Sequence, residues 1–184
     1  MFNDQFALTQ AVLDGAKTMT RRPVQKKVLK GAYAYVQRVH GTGNDFLDYL
    51  LEHAPYKVGD MVAVARSYRT LNENGYVAPE WCDHTCEDSA GYKNKMYVKA
   101  GLMPDRIRIT AVRIKRIQDI SEDDCQREGI VRGDYSLWGY KNNGRYDTFR
   151  SWKDAFASLV KKLCGKKVWD DNPYVFVYSF TLLK

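Results

Sequence analysis

The chain has 184 residues, 45% of them apolar and 13% aromatic, enough to bury the core of one domain over residues 1–184, so disorder is not the expectation. No apolar run approaches bilayer length, and residues 1–5 lack the basic flank and apolar block of an export signal; a cytoplasmic protein with no membrane partner is expected. The formal charge of +7 is unevenly placed, with no acid between Gly15 and Asn44 and only Asp105 among the bases from Lys93 to Arg116, a field that attracts nucleic acid or simply solvates a surface.

In chain order, a first helix is predicted over residues 4–14, capped by Asn3 or Asp4, with Phe6, Ala7, Val12 and Leu13 on its apolar face and Gly15 just past its end. Residues 17–23 are then displayed beyond a helix terminus. Lys57-Val58-Gly59-Asp60 reads as a turn feeding a strand over 61–65, and residues 69–92, without periodicity, as a long surface loop. Arg106-Ile107-Arg108-Ile109 alternates as a half-buried strand does, and the shift of apolar parity between Ile109 and Val112 predicts a bulge. Ser121 caps a short helix with acids in its first turn, ending at Gly129. Ser151 and Asp154 open another, whose face of Trp152, Ala155, Phe156, Leu159, Val160 and Leu163 runs to Gly165. Residues 174–180 are apolar on nearly both faces, as in a central strand. Strands and helices without regular βαβ alternation imply an α+β or small-barrel architecture.

The four cysteines are expected as thiols, given the compartment, and Cys125 as a packing group. Cys82, His84 and Cys86 are zinc-type ligands, but they alternate rather than leave the usual gap and no fourth ligand is evident, so no metal or other cofactor is expected and an exposed loop is the plainer reading. Among the aromatic residues interleaved with bases, Tyr33 and Tyr97 read as packing residues, whereas Trp138 and Tyr140, in a Gly-rich segment without period, are expected to stack on unpaired bases.

Four segments taken together resemble the ASCH branch of the PUA-like β-barrels, as found among phage and prophage genes. They are Val12-Leu13-Asp14-Gly15-Ala16-Lys17-Thr18-Met19-Thr20-Arg21-Arg22-Pro23; Tyr56-Lys57-Val58-Gly59-Asp60; residues 116–124 with Glu128-Gly129-Ile130; and Trp169-Asp170-Asp171-Asn172-Pro173-Tyr174-Val175-Phe176-Val177. The resemblance implies an α+β fold, a PUA-like β-barrel with packed helices and long loop insertions, in which the Gly-x-Lys-Thr-x-Thr-Arg segment lines a cleft. It implies an RNA-related role. The small bacterial members are amidohydrolases of N4-acetylcytidine, and their catalytic positions fall here on Lys17, Thr20 and Glu128. This chain is longer than they are, and carries Arg66 where a glutamate is expected from phage relatives.

The leading expectation is therefore a module that binds RNA or a modified nucleoside or nucleotide through Lys17, Thr18, Thr20, Arg21, Arg22, Lys26, Arg66, Tyr68, Trp138 and Tyr140. The alternatives are an enzyme that deacylates a cytidine-type base or cleaves RNA with Lys17, Thr20 and Glu128, and a zinc-stapled interaction protein.

Overall fold

Residues 174–180 are apolar at every position but Ser179, and the chain places them where both faces of a sheet are covered. The computed structural model describes residues 2–76 and 89–183. In chain order it contains α1 (Leu8–Leu13), β1 (Met19–Pro23), α2 (Lys26–Val39), α3 (Gly43–Glu52), β2 (Met61–Ala63), α4 (Tyr68–Glu73), α5 (Ala90–Lys93), β3 (Arg106–Arg116), α6 (Glu122–Arg127), β4 (Val131–Arg132), β5 (Trp138–Asn142), β6 (Arg145–Phe149), α7 (Trp152–Cys164), α8 (Lys166–Asp170) and β7 (Tyr174–Leu183). The main sheet is antiparallel, in the order β1-β7-β3-β2, and curls into a half-barrel; β4, β5 and β6 form a second, three-stranded sheet. The fold is thus α+β. Among the described residues no helix is long and apolar enough to cross a membrane.

β7 divides the core by the twofold alternation of a strand. Val175 and Val177 face Met19, Ile117 and the α7 residues Ala155, Phe156, Leu159 and Val160. Phe176, Tyr178 and Phe180 face Ile107, Ile109 and the α2–α3 pair through Ala32, Phe46 and Leu50. The expected bulge in β3 is present, between Ile109 and Ala111, and it lets Ile107, Ile109, Val112 and Ile114 all serve the same side of the sheet. The helix from Ser151 forms as expected: the Ser151 hydroxyl accepts the Asp154 N–H at 3.1 Å, and Gly165 ends the helix with a φ of +91°.

Elsewhere the chain departs from the sequence expectations. The first helix is shorter than residues 4–14, because Ala7 takes a left-handed φ of 52° and Asp4 is drawn off to the hydroxyl of Thr9 and the ammonium of Lys95. The strand expected over 61–65 spans Met61–Ala63. The stretch 69–92, expected as a loop, is helical at its two ends, where it overlaps α4, capped by Ser67, and α5; its residues 77–88 lie outside the described residues. α2 and α3 arise from a stretch with no assigned motif; Val28, Leu29, Ala32 and Val36 recur at helical spacing and dock α2 on α3 and the sheet. The second sheet depends on Gly139, where a Cβ would lie 2.4 Å from the backbone oxygen of Asp147.

Candidate active site

Past α1 the chain is stitched down by its own backbone. The Lys17 N–H donates to Ala11 C=O at 2.8 Å, the Thr18 N–H to Arg127 C=O at 2.9 Å, and the Phe180 N–H to Thr18 C=O at 2.9 Å. These bonds fix the end of α1 to the end of α6 and to β7. Lys17, Met19 and Arg21, at alternate positions, are all buried, and the register of β1 sets Arg21 beside Val177, on the α7 side of the sheet. Opposite them, Ser121 caps α6 by accepting the Asp124 N–H at 3.1 Å, which leaves the Asp124 carboxylate in the first turn. Glu128 follows one turn later as the C-cap residue, and Gly129 turns the chain at a φ of +97° beside the stem of Lys17.

Four charged side chains meet there, all buried. Lys17 Nζ donates to Glu128 Oε2 at 2.7 Å and to the Glu128 C=O at 2.6 Å. Arg21 bridges the two acids, Nη1 to Glu128 Oε1 at 3.0 Å and Nη2 to Asp124 Oδ2 at 2.6 Å. Its guanidinium also lies 5.6 Å from the centre of the Phe156 ring, while its buried Nε meets no acceptor among the described residues. Burial holds the Lys17 amine below its ordinary value of 10.5, Glu128 pulls it back up, and Arg22 and Arg21 push it down further. Burial raises the Cys125 thiol to about 12, consistent with an inert packing group.

Three of the four, Lys17, Arg21 and Glu128, line the floor of a cleft of about 510 Å³. Its polar side is Lys17, Thr20, Arg21, Arg22 and Glu128, joined at the rim by Asn3, Asp4, Gln5 and Lys95; most of the remaining wall is apolar, from Phe2, Leu8 and α7 residues such as Phe156 and Leu159. Lys95 ties that N-terminal segment down by donating to the Phe2 carbonyl and to Asp4. Lys17, Thr20 and Glu128 thus line one cavity although Glu128 is 111 residues from Lys17. Thr20 has the opposite parity in β1, pairs with Tyr178, and makes no hydrogen bond to Lys17 or Glu128.

The other residues expected at the site are elsewhere. Trp138 and Tyr140 are 5% and 1% exposed and belong to the core against α7, so neither ring offers a face to a base. Tyr68 is 2% exposed, and its hydroxyl accepts the Lys99 N–H at 2.9 Å. Arg66 is committed to Asp105 at 2.6 Å, and Thr18 accepts from Arg127 Nε at 3.3 Å. Lys26 is exposed at the start of α2, and Arg22 is exposed beside the cleft. Tyr33 and Tyr97, expected to pack, are exposed instead; Tyr33 lies on a helix, where strand alternation does not apply. Cys82, His84 and Cys86 lie outside the described residues, within which no group of three His, Cys, Asp or Glu side chains gathers as a metal site would.

Asp124 was not singled out from sequence as a site residue. It is four residues before Glu128, which puts both carboxylates on one helical face, and the i, i+2, i+4 spacing of Lys17, Met19 and Arg21 gives the matching cations. Compared with protein-family models, curated proteins and solved structures, the chain gives no significant match.

Proposed function

We propose that the cleft binds a flat, acylated base of the cytidine type and hydrolyses its exocyclic amide, within an ASCH-like, PUA-type cytoplasmic protein of RNA metabolism. The observation that carries this reading is the 2.7 Å contact of Lys17 Nζ with Glu128 Oε2 at the floor of a largely apolar cleft. A phosphate grip by the same residues is disfavoured, since Lys17 and Arg21 are already neutralised by Glu128 and Asp124. Apolar walls suit a ring rather than a polyanion.

Amide hydrolysis needs a base for the attacking water and an acid for the leaving nitrogen. Lys17, in the fraction that has lost its ammonium proton, takes one proton as the water oxygen bonds to the acyl carbon. The carbonyl electrons move to oxygen, beside the guanidinium of Arg21, whose charge stabilises the oxyanion. As that oxyanion collapses the C–N bond breaks, and the proton held by the Lys17–Glu128 pair goes to the departing nitrogen. The products are the amino base and a carboxylic acid, which loses its proton to solvent. Burial disfavours the ammonium form of Lys17 more than its contact with Glu128 favours it, so the amine is easier to reach here than in a free lysine. Thr20 positions the water.

The test is chromatography of N4-acetylcytidine after incubation with the protein. Wild type is expected to release cytidine, Glu128→Gln and Lys17→Arg to fall to the enzyme-free rate, and Thr20→Ala, at a partly exposed position, to be slowed while keeping its thermal midpoint. No release by wild type refutes the reading. A second reading, binding of the same base without turnover, is favoured by the absence of a hydrogen bond from Thr20 to Lys17 or Glu128, and predicts saturable binding with no product.

A further inference from the structure

The buried cations Lys17 and Arg21 are neutralised by Glu128 and Asp124, whereas another set has no carboxylate partner among the described residues. α2 carries Lys26, Lys27, Lys30 and Arg38 and no acid, and all four are exposed. Among the described residues none of them, nor Lys115, forms an ion pair with a carboxylate. Lys26, Lys30 and Tyr33 follow at i, i+4 and i+7, so they share one exposed stripe of the helix. That stripe is about 10 Å long, against one phosphate per ~3.4 Å of a nucleic-acid strand.

The stripe ends on an aromatic groove. Tyr33, 56% exposed, rests on the Phe46 ring at 4.8 Å, Phe46 on Tyr174 at 5.4 Å, and the Arg116 guanidinium covers the Tyr174 ring at 3.8 Å. These groups line a hollow of about 880 Å³ between the α2–α3 pair and the end of β3 and β7, which Lys115 also faces. Among its described lining residues Asp119 carries the one carboxylate, and Asp45, next to it through Thr42, is occupied by the N–H and hydroxyl of Thr42 at 2.6 and 2.8 Å. An unpaired row of cations leading to a supported ring with an open face matches a ligand that is both polyanionic and bears exposed flat rings.

We propose that this groove docks single-stranded nucleic acid, phosphates on Lys26, Lys30 and Lys115 and a base stacked on Tyr33. It is a separate surface from the cleft, so its occupancy needs no turnover there. A smooth polyanion or a duplex, whose bases are hidden, satisfies the cations but not the ring.

The test is fluorescence anisotropy with a labelled oligouridine of roughly 12 nucleotides, its DNA counterpart, a duplex of the same length and inorganic polyphosphate. The single strands should bind more tightly than the duplex, RNA against DNA showing which sugar is preferred. Lys26→Ala and Lys30→Ala should each lower the slope of log affinity against log salt by about 0.7. Tyr33→Ala should weaken single-strand binding roughly tenfold and leave polyphosphate binding unchanged. Thermal midpoints within about 2 °C of wild type show that the variants are folded. No single-strand binding at about 50 mM salt, a duplex or polyphosphate bound as tightly as the single strand, or an unchanged affinity in Tyr33→Ala each overturns the proposal. Because the readout is binding of an unacetylated strand, it stands or falls apart from the hydrolysis assay.

Discussion

Replacing Arg21 by alanine removes both of the bonds that bridge the two carboxylates of the buried cluster. The side chain is 3% exposed and donates to Glu128 at 3.0 Å and to Asp124 at 2.6 Å. Glu128 keeps Lys17 as a partner. Among the described residues Asp124 keeps only Arg113, at 3.8 Å and itself 44% exposed, so its carboxylate is left buried and nearly uncompensated. Breaking a buried pair in this way costs about 3–5 kcal/mol, more than the pair is worth against an apolar substitute. For a domain of this size, each kcal/mol moves the thermal midpoint by about 2–4 °C, so the fall should be roughly 6–20 °C. Urea unfolding of wild type, Arg21→Ala, Asp124→Ala and the double variant measures it. The double variant should lose at least about 1 kcal/mol less than the sum of the singles, since the orphaned carboxylate is gone. A loss under about 1 kcal/mol for Arg21→Ala, or additivity within about 0.5 kcal/mol, refutes the reasoning.

Val177→Asp puts a carboxylate at a fully buried position of β7 against α7, and should cost at least about 3 kcal/mol in urea unfolding; an unchanged midpoint would mean the α7 side of the sheet is not packed as described. Gly139→Ala drives a Cβ to within 2.4 Å of the Asp147 backbone oxygen and should cost about 1–3 kcal/mol by forcing β5 from β6, with loss of amide protection in residues 138–149 as the readout; full protection would show that the strands yield without cost.

The parts of the fold that were legible are those where one local signal dominates. The alternation and parity shift in β3, the Ser151–Asp154 cap and the two-sided apolar run of β7 each write their outcome in consecutive residues. α2 and α3 were less visible, since α2 has one fully buried residue, Ala32, and its identity as a helix rests on a face that only the sheet completes. Trp138 and Tyr140 misled for the same reason: nothing near them in sequence reports that α7 will cover that face of β5. At the candidate site, the motif residues Lys17, Thr20 and Glu128 do reach one cleft, but sequence position says nothing of charge balance. That Lys17 and Arg21 are satisfied internally, rather than open to phosphate, depends on Asp124 and Glu128 arriving from another element.

The central claim, that Lys17 works as a neutral amine against Glu128, is tested most directly by the pH dependence of kcat/KM for N4-acetylcytidine. Burial lowers the pKa of Lys17 below 10.5, so the reactive amine fraction grows as pH rises through that lowered value. After subtraction of the enzyme-free rate, kcat/KM should climb with pH and level off below pH 10.5, and the rise should vanish in Lys17→Arg, which keeps the charge but supplies no neutral amine. A profile that is flat or falls over the same range, or one that Lys17→Arg reproduces, would contradict the account.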